Sequence, residues 1–271
     1  MTAASLGDIL REWRRRRHLS QLDLALDAEI SQRHLSFIES GRAAPSRDLL
    51  LHLTERLGVP LRERNPILIA AGYAPVFAQR SLDDPALVAA RQAIDMILKG
   101  HEPFPALAVD RHWTLVSANA ALGPLLAGVE DESLLAPPVN VLRLSLHPDG
   151  LARRIVNFAV WRNHLLERLQ QQIAASGDPV LRDLLDELMA LPRPATAAHA
   201  AAEETQDLGD IAVPLQIETA AGVLSFLSTT TVFGTPLDIT LSELAIESFF
   251  PADARTAEIL KALPVQPGDR E

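Results

Sequence analysis

The sequence has no cysteine, a single tyrosine, three methionines and no long apolar run. The absence of cysteine excludes a disulfide framework, a thiolate zinc site and a cysteine nucleophile. No segment reaches the roughly 18 apolar residues of a membrane-spanning helix, and residues 1–17 lack the apolar stretch of a signal peptide. We therefore expect a soluble, cytoplasmic protein that does not bind membranes.

Sequence motifs of catalysis are missing as well. The chain contains no His-Glu-x-x-His, no Walker-type glycine loop, no Gly-x-Ser-x-Gly and no dinucleotide-binding fingerprint, each of which would indicate a specific chemistry. Its histidines are scattered along the chain. We expect no enzymatic activity, no catalytic residues, no metal site and no cofactor.

Charge is distributed unevenly along the 271 residues, whose formal net charge is −10. Residues 1–80 hold 12 arginines and 9 acidic residues, a balance of +3, whereas residues 81–271 hold 13 basic and 26 acidic residues, a balance of −13. Because an acidic surface repels DNA, any contact with nucleic acid should be confined to the N-terminal region. The length suits one large or two ordinary domains, and 48% hydrophobic residues suffice for a sizeable core.

The N-terminal region has the pattern of five short helices. Apolar residues recur there at helical spacing, serines stand at helix-capping positions, and glycines follow the third, fourth and fifth segments. The pattern predicts an all-α domain over residues 1–75. A linker over 76–84 and a second domain over 85–271 complete the predicted organisation.

The second domain mixes helical and extended patterns. Two hairpins are predicted from pairs of short apolar runs, Ala106–Asp110 with Trp113–Ala118 and Ile211–Thr219 with Gly222–Phe233. Helices are predicted over Pro85–Lys99, Leu151–Ala175, Asp178–Leu191, Thr240–Phe249 and Pro251–Leu263, with a loop at Pro192–Asp207. This combination predicts an α+β domain built on an antiparallel sheet.

Residues 20–45 carry the polar groups that point to DNA. Two short helices with a tight turn come together here, and the second presents a polar face with Gln32, Arg33 and Ser36. Glutamine and arginine can form paired hydrogen bonds with adenine and guanine in the major groove. Gln21, at the start of the first helix, and Arg42, beyond the second, could contact phosphates, and Ser31, which caps the second helix, completes the predicted DNA-binding set.

This segment resembles the helix-turn-helix of the xenobiotic-response-element family, which includes phage repressors. The resemblance covers about residues 5–70 and rests on Ser20-Gln21, Ala25, Leu35, Ile38-Glu39, Gly41 and Pro45-Ser46 at fixed spacing. It implies that Gln21 contacts a phosphate and that Gln32, Arg33 and Ser36 face the bases. Asp27-Ala28-Glu29 departs from the more usual turn with a central glycine, which leaves the dihedral angles of the turn open.

Other interpretations of the same residues stay open from sequence alone. The helices could form a protein-interaction module, and the arginine run 14–17 could be a solvated helix end or could contribute one or two phosphate contacts. His34 fits a surface or phosphate-side position better than a metal ligand. Trp13 and Phe37 are expected in the core.

A second resemblance extends over most of the chain, to the MmyB-like regulators. It rests on residues 61–65, 70–75, 105–110, 140–143, 146–150, Asn157 with Trp161, and the distinctive run from Ser228 to Asp238. In that family a repressor-type head precedes a ligand-binding domain of PAS-like shape. The resemblance implies a transcription regulator whose second domain binds an apolar small molecule, such as a fatty acid or another acyl compound.

Five residues are candidates for holding the polar end of such a ligand. Arg154, Asn157 and Trp161 follow one another at helical spacing and could share one helix face, and an arginine fork with an asparagine amide suits a carboxylate. Arg143 and His147 complete the set. Each could instead serve the fold: the arginines and Asn157 through local contacts, His147 by capping a turn, and Trp161, like Phe158, Phe226 and Phe233, by filling the core.

Together these observations predict a homodimeric DNA-binding regulator, since one such head reads only a few base pairs. In the predicted mechanism, the effector favours one arrangement of the second domain and so changes the spacing of two heads. Two alternatives remain. The second domain could be a dimerisation or protein-docking module without a ligand, or the chain could be a lipid carrier with a vestigial head.

Overall fold

The computed structural model describes residues 5–194 and 212–262. These residues divide into two compact units: a head unit, residues 1–81 with 174–177 and 235–242, and a body unit with 82–173, 178–234 and 243–271. The domain boundaries predicted from the sequence stay predictions. The predicted loop Pro192–Asp207 lies almost wholly outside the described residues.

The N-terminal residues of the head unit form the predicted five helices, so that part of the fold class is confirmed. The helices are α1 (Leu6–Arg16), α2 (Gln21–Asp27), α3 (Gln32–Glu39), α4 (Arg47–Arg56) and α5 (Leu61–Ala70). Their apolar sides meet in one core, whose fully buried members include Leu10, Leu24, Leu35, Ile38, Leu50 and Leu53. Trp13 lies in this core as predicted.

Side-chain caps start the first four of these helices. Ser5, Ser20, Ser31 and Ser46 each accept a hydrogen bond from a backbone amide in the first turn, which satisfies a donor that would otherwise lack a partner. Ser20 also forms a reciprocal capping box with Asp23. The serine positions in the sequence therefore set where the helices begin.

The α1 and α3 helices approach closely at Gly7. A Cβ atom added there would lie 2.2 Å from the carbonyl oxygen of Glu39, well inside contact distance. Arg11 on the next turn donates a hydrogen bond of 2.6 Å to the same oxygen. The missing side chain thus allows α1 to support the C-terminal end of α3.

The turn between α2 and α3 places Glu29 in the left-handed region, with φ of 54°. Ala28, the C-cap of α2, has an ordinary φ of −89°. The residue of this turn that adopts the conformation favoured by glycine is therefore Glu29, not the central Ala28.

The body unit contains an antiparallel sheet, as predicted. Its five strands in the described residues are β1 (Ala106–Val109), β2 (Leu115–Ala118), β3 (Leu215–Thr219), β4 (Gly222–Val232) and β5 (Ala245–Pro251), in the spatial order β2-β1-β5-β4-β3. Every neighbouring pair is antiparallel. Both predicted hairpins, β1–β2 and β3–β4, are present.

Beside four short 3₁₀ helices, the described chain contains seven further α-helices. They are α6 (Val88–Gly100), α7 (Gly123–Leu126), α8 (Val141–Leu146), α9 (Phe158–Ser176), α10 (Pro179–Ala190), α11 (Ile239–Ser242) and α12 (Ala254–Ala262). The helices predicted near Pro85–Lys99, Leu151–Ala175 and Asp178–Leu191 correspond to α6, α9 and α10. The second begins later than predicted, because Arg154 ends a short 3₁₀ helix, Ala152–Arg154, and Ile155 is extended. The expectation that Arg154, Asn157 and Trp161 share one helix face is therefore wrong.

One predicted helix, Thr240–Phe249, is wrong for most of its length. Only its first residues are helical, in α11, and Ala245–Pro251 is the central strand β5. Three consecutive residues of β5, Ile246, Glu247 and Ser248, are buried, so both faces of this part of the strand are covered. No clean alternation of polar and apolar residues therefore marks it. The short apolar run could not distinguish a buried strand from a helix.

The core of the body unit lies on one face of the sheet. Phe226 and Leu224 of β4 pack with Phe158, Trp161 and Leu165 of α9 and with Leu181, Leu184 and Leu188 of α10. The expectation that Phe158, Phe226 and Trp161 are core residues is confirmed, whereas Phe233 is only half-buried. No helix in the described part of the chain is long and apolar enough to cross a membrane.

Candidate functional site

The N-terminal half of α3 presents the predicted polar face. Gln32 and Arg33 are exposed, and Ser36, one turn further along, is half-buried. The hydroxyl of Ser31 accepts a hydrogen bond of 3.1 Å from the amide of His34, so its side chain is engaged as a cap. The structure therefore brings the predicted base-facing residues together on one exposed helix.

A buried carboxylate, Glu39, anchors the other end of α3. Its side chain is 1% exposed and receives two hydrogen bonds from Arg14, of 2.7 and 2.9 Å, and one of 2.8 Å from the amide nitrogen of Gln21. Burial alone would raise the pKa of Glu39, but these hydrogen bonds and the charges of Arg14 and Arg11 hold that pKa below its ordinary value.

Two members of the arginine run 14–17, Arg14 and Arg17, are neither a solvated helix end nor free for phosphate, whereas Arg15 is exposed and its role stays a prediction. Arg14 is only 11% exposed and is held by Glu39. Arg17 donates hydrogen bonds of 2.9 Å to the carbonyl oxygens of Leu57 and Gly58, beyond the end of α4. Both side chains serve the fold because a buried carboxylate and the carbonyls of a helix end need donors.

The prediction that Phe37 lies in the core is wrong. Its side chain is half-buried and lies outside the core cluster of the head unit. The guanidinium carbons of Arg33 and Arg42 lie 5.3 and 5.7 Å from its ring centroid, within cation–π range. Sequence reasoning treated Phe37 as apolar filling, although its spacing of four residues from Arg33 places both on one helix face.

In the body unit, the side chains of Arg154 and Asn157 both bond to backbone groups, Arg154 to β3 and the end of α7 and Asn157 to the start of β3. Arg154 donates to the backbone carbonyls of Glu218, Leu125 and Ala127. Asn157 donates to the carbonyl of Pro214 at 2.7 Å and accepts from the amide of Gln216 at 3.1 Å. Burial lowers the pKa of Arg154, opposed by the charge of Glu218.

The other three candidates gather around α8. Arg143 forms a two-pronged ion pair of 2.5 and 2.7 Å with Glu187 of α10, and this hydrogen bonding raises its pKa. The Nδ1 atom of His147 accepts from the amide of Asp149 at 3.1 Å, as a turn-capping histidine would. The indole of Trp161 donates to the hydroxyl of Ser145 at 3.1 Å. The candidates thus form two groups, and their ligand roles stay predictions.

Sequence reasoning missed a polar cluster between α9 and the centre of the sheet. Arg168 of α9 pairs with Glu247 of β5 through contacts of 2.5 and 3.0 Å, and the hydroxyl of Thr230 bonds to both residues. The guanidinium also lies 4.6 Å from the ring centroid of Trp113. The only signal in the sequence was a single acidic residue inside the apolar run Ala245–Phe250.

These features define a class of protein: a helical head with an exposed polar helix is joined to an α+β domain with a large apolar core. Residues 10–64 match the family model of a helix-turn-helix domain, and residues 90–263 match that of the MmyB-like transcription regulator ligand binding domain. The protein is therefore a DNA-binding transcription regulator with a ligand-binding domain. The chain belongs to the MmyB-like transcription regulators.

Both matched families are regulatory and neither is enzymatic. A comparison with curated proteins gave no match. The resemblances stated from the sequence, to a helix-turn-helix head and to MmyB-like regulators, are confirmed.

Proposed function

We propose that the body unit is a PAS-like sensor of an apolar acyl compound, such as a fatty acid, and that its occupancy changes how a homodimer binds its operator. The observation that carries this proposal is the apolar cluster on one face of the sheet. It joins residues of β1, β4, α8, α9 and α10, in a domain whose family binds ligands. The all-antiparallel order β2-β1-β5-β4-β3 supports the PAS-like description.

An acyl ligand suits this domain because its chain needs apolar walls and its head needs a donor. Arg154, Asn157, Arg143, His147 and Trp161 remain the proposed head-group residues. Arg154 and Asn157 now bind backbone groups, so a carboxylate would share or replace those contacts. Arg154 and Asn157 bond to β3, whereas Arg143, His147 and Trp161 lie around α8. Substitutions in each group can therefore show which of the two binds the head of the ligand.

A homodimer is proposed because paired recognition helices must sit about 34 Å apart to enter successive turns of the major groove. The effector would favour one of two arrangements of the dimer by binding it more tightly, and only this difference in affinity can shift the equilibrium. Nothing in this mechanism requires the ligand to contact DNA.

In the head, Gln32, Arg33 and Ser36 are proposed to face bases, whereas Gln21, Ser31 and Arg42 position the head on the backbone. Gln32→Ala should cost about 1–3 kcal/mol of binding free energy at one position of the operator, and Gln21→Ala should weaken all sequences about equally. Equal losses for Gln32→Ala on operator and random duplexes would remove Gln32 from the base-reading set.

The decisive experiment for the effector is denaturing extraction of the purified chain, with mass spectrometry of the released small molecules. An acyl compound near one equivalent per chain, together with a thermal shift when the same compound is added back, would support the proposal. An empty protein that shows no shift across a series of fatty acids would favour a docking or dimerisation module.

The head-group residues can be ranked once a ligand binds. Arg154→Gln and Asn157→Ala test one group, and Arg143→Gln, with His147→Ala, tests the other. Arg91→Gln is a matched control, because Arg91 forms a surface ion pair with Asp83. A variant that binds the fatty acid and its uncharged alcohol equally well identifies the residue that holds the carboxylate.

A further inference from the structure

Phe37 is an aromatic side chain on the DNA-reading helix that the core does not use. It lies one turn after Arg33 on α3, and its ring is half-buried rather than enclosed. The other large apolar residues of α3, Leu35 and Ile38, are both fully buried. Partial exposure of a phenylalanine on this helix therefore needs an explanation outside the packing of the head.

Two exposed arginines stand against the ring. The guanidinium carbons of Arg33 and Arg42 lie 5.3 and 5.7 Å from its centroid. Stacking of this kind restrains a guanidinium and leaves its N–H groups free for an acceptor. Arg33 and Arg42 both belong to the proposed DNA-binding set. When they approach bases and phosphates, the ring of Phe37 between them also lies next to the duplex.

An apolar surface at this place has one matching partner in the major groove. The C5-methyl group of thymine is the apolar feature among the donors and acceptors displayed there, and phenylalanine is one of the side chains that contact it. We propose that Phe37 is a specificity-determining residue that reads a thymine methyl group and holds Arg33 and Arg42 in place. This inference rests on DNA binding by the head and adds a residue and a base feature to it.

The test compares thymine with deoxyuridine, which lacks only the methyl group. An operator is first selected from a random duplex library with the full-length wild-type chain. Each thymine is then replaced singly by deoxyuridine, and affinities are measured for wild type, Phe37→Ala and Phe37→Gln. Phe250→Ala is the matched control, because Phe250 is a 43% exposed aromatic of the body unit that contacts the ring of His101.

For wild type and Phe250→Ala, removing the methyl at one thymine should weaken binding about two- to fourfold, the value of one buried carbon group. Phe37→Ala should bind both duplexes equally, and Phe37→Gln should shift the selected base at that position towards adenine. The Phe37→Gln selection keeps the test valid if Phe37→Ala unfolds, which circular dichroism would reveal.

Two results would overturn the inference while leaving DNA binding intact. In one, no thymine of the selected operator is sensitive to loss of its methyl group. In the other, a sensitive thymine stays equally sensitive in Phe37→Ala and the base preference of Phe37→Gln is unchanged. Selection of no sequence at all by wild type would instead remove the proposed operator recognition, and this inference with it.

Discussion

At the scale of single residues, Glu39 connects the fold of the head to its function. Its carboxylate fixes Arg14 of α1 and Gln21 of α2 against the end of α3. Burying this carboxylate without a hydrogen-bond donor would cost several kcal/mol of folding free energy. The hydrogen bonds of Glu39 therefore fix the positions of α1, α2 and α3 relative to one another. The side-chain amide of Gln21, the residue proposed to contact a phosphate, is thus oriented by Glu39.

The lowered pKa of Glu39 predicts a pH-dependent stability of the head. A carboxyl group with a lower pKa in the folded chain stabilises it above the ordinary value of 4.5, and this stabilisation is lost as the pH falls through the folded-state pKa. Thermal unfolding between pH 7 and pH 3 should show the loss, and Glu39→Gln should flatten the pH dependence. Fluorotryptophan NMR reports this unit separately, since Trp13 is the one tryptophan among residues 1–81. An unchanged slope in Glu39→Gln would contradict the assignment.

Glu29 predicts a stabilising substitution. Its φ of 54° costs a non-glycine residue about 1 kcal/mol, so Glu29→Gly should raise the free energy of unfolding of the head by up to about 1 kcal/mol. Glu29→Ala, which keeps the strain, should give no such gain. The measurement is urea unfolding of the full chain followed at Trp13. A loss of stability in Glu29→Gly would mean that the side chain has a role that the turn geometry does not show.

The sequence predicted which residues of α3 are exposed, but it did not predict which side chains from other helices contact α3. Gln32 and Arg33 stand out from the motif, but nothing in the spacing showed that Arg14 would be buried against Glu39, 25 residues away. Phe37 was assigned to the core because apolar residues usually lie there. Contacts between distant residues depend on how the helices pack, which local patterns do not encode.

At the scale of elements, β5 shows where sequence patterns fail. The β3–β4 hairpin has alternating residues around a turn and was predictable. β5 lies between β1 and β4, and its residues 246–248 are buried on both faces, so this part lacks the alternation that marks a strand. Its charged residue, Glu247, is explained by partners distant in the chain: Arg168 of α9, 79 positions earlier, and Thr230 of β4.

The ion pair between Arg168 of α9 and Glu247 of β5 should contribute to the stability of the body unit. The Glu247 side chain is 5% exposed, so Arg168→Met leaves a buried charge unpaired and should destabilise the body unit by about 3 kcal/mol. The double variant Arg168→Met, Glu247→Leu should recover much of that loss, since an apolar pair can replace a buried ion pair. Urea unfolding followed at Trp113 and Trp161 measures both. Equal losses in the single and double variants would show that the pair is not a coupled unit.

Gly7 determines how closely α1 and α3 can pack. A methyl group there would collide with the backbone of Glu39, so Gly7→Ala should separate α1 from α3 and cost about 1–3 kcal/mol of stability. Gly100→Ala is a matched control, because its added Cβ meets no atom within 4 Å. The measurement is thermal unfolding of both variants. Similar melting temperatures for the two would contradict the close contact between Gly7 and the backbone of Glu39.

At the scale of the whole molecule, the division of charge confines DNA binding to the head. Because residues 81–271 carry a net charge of −13, we expect phosphate contacts only from the head, and the affinity should fall linearly with salt on a double-logarithmic plot. Arg42→Gln should lower the slope by about one contact. The same change at Arg91 of the body unit should leave the slope unaltered. Equal slopes in wild type and Arg42→Gln would show that Arg42 makes no phosphate contact.

We propose that effector binding and DNA binding are coupled in one chain. Fluorescence anisotropy of a labelled operator duplex, titrated with the full-length protein with and without a saturating fatty acid, tests it most directly. The bound ligand should change the dissociation constant of the operator about 5- to 150-fold, the usual range of coupling between two sites. An affinity for the operator that stays the same while the fatty acid is bound would contradict it.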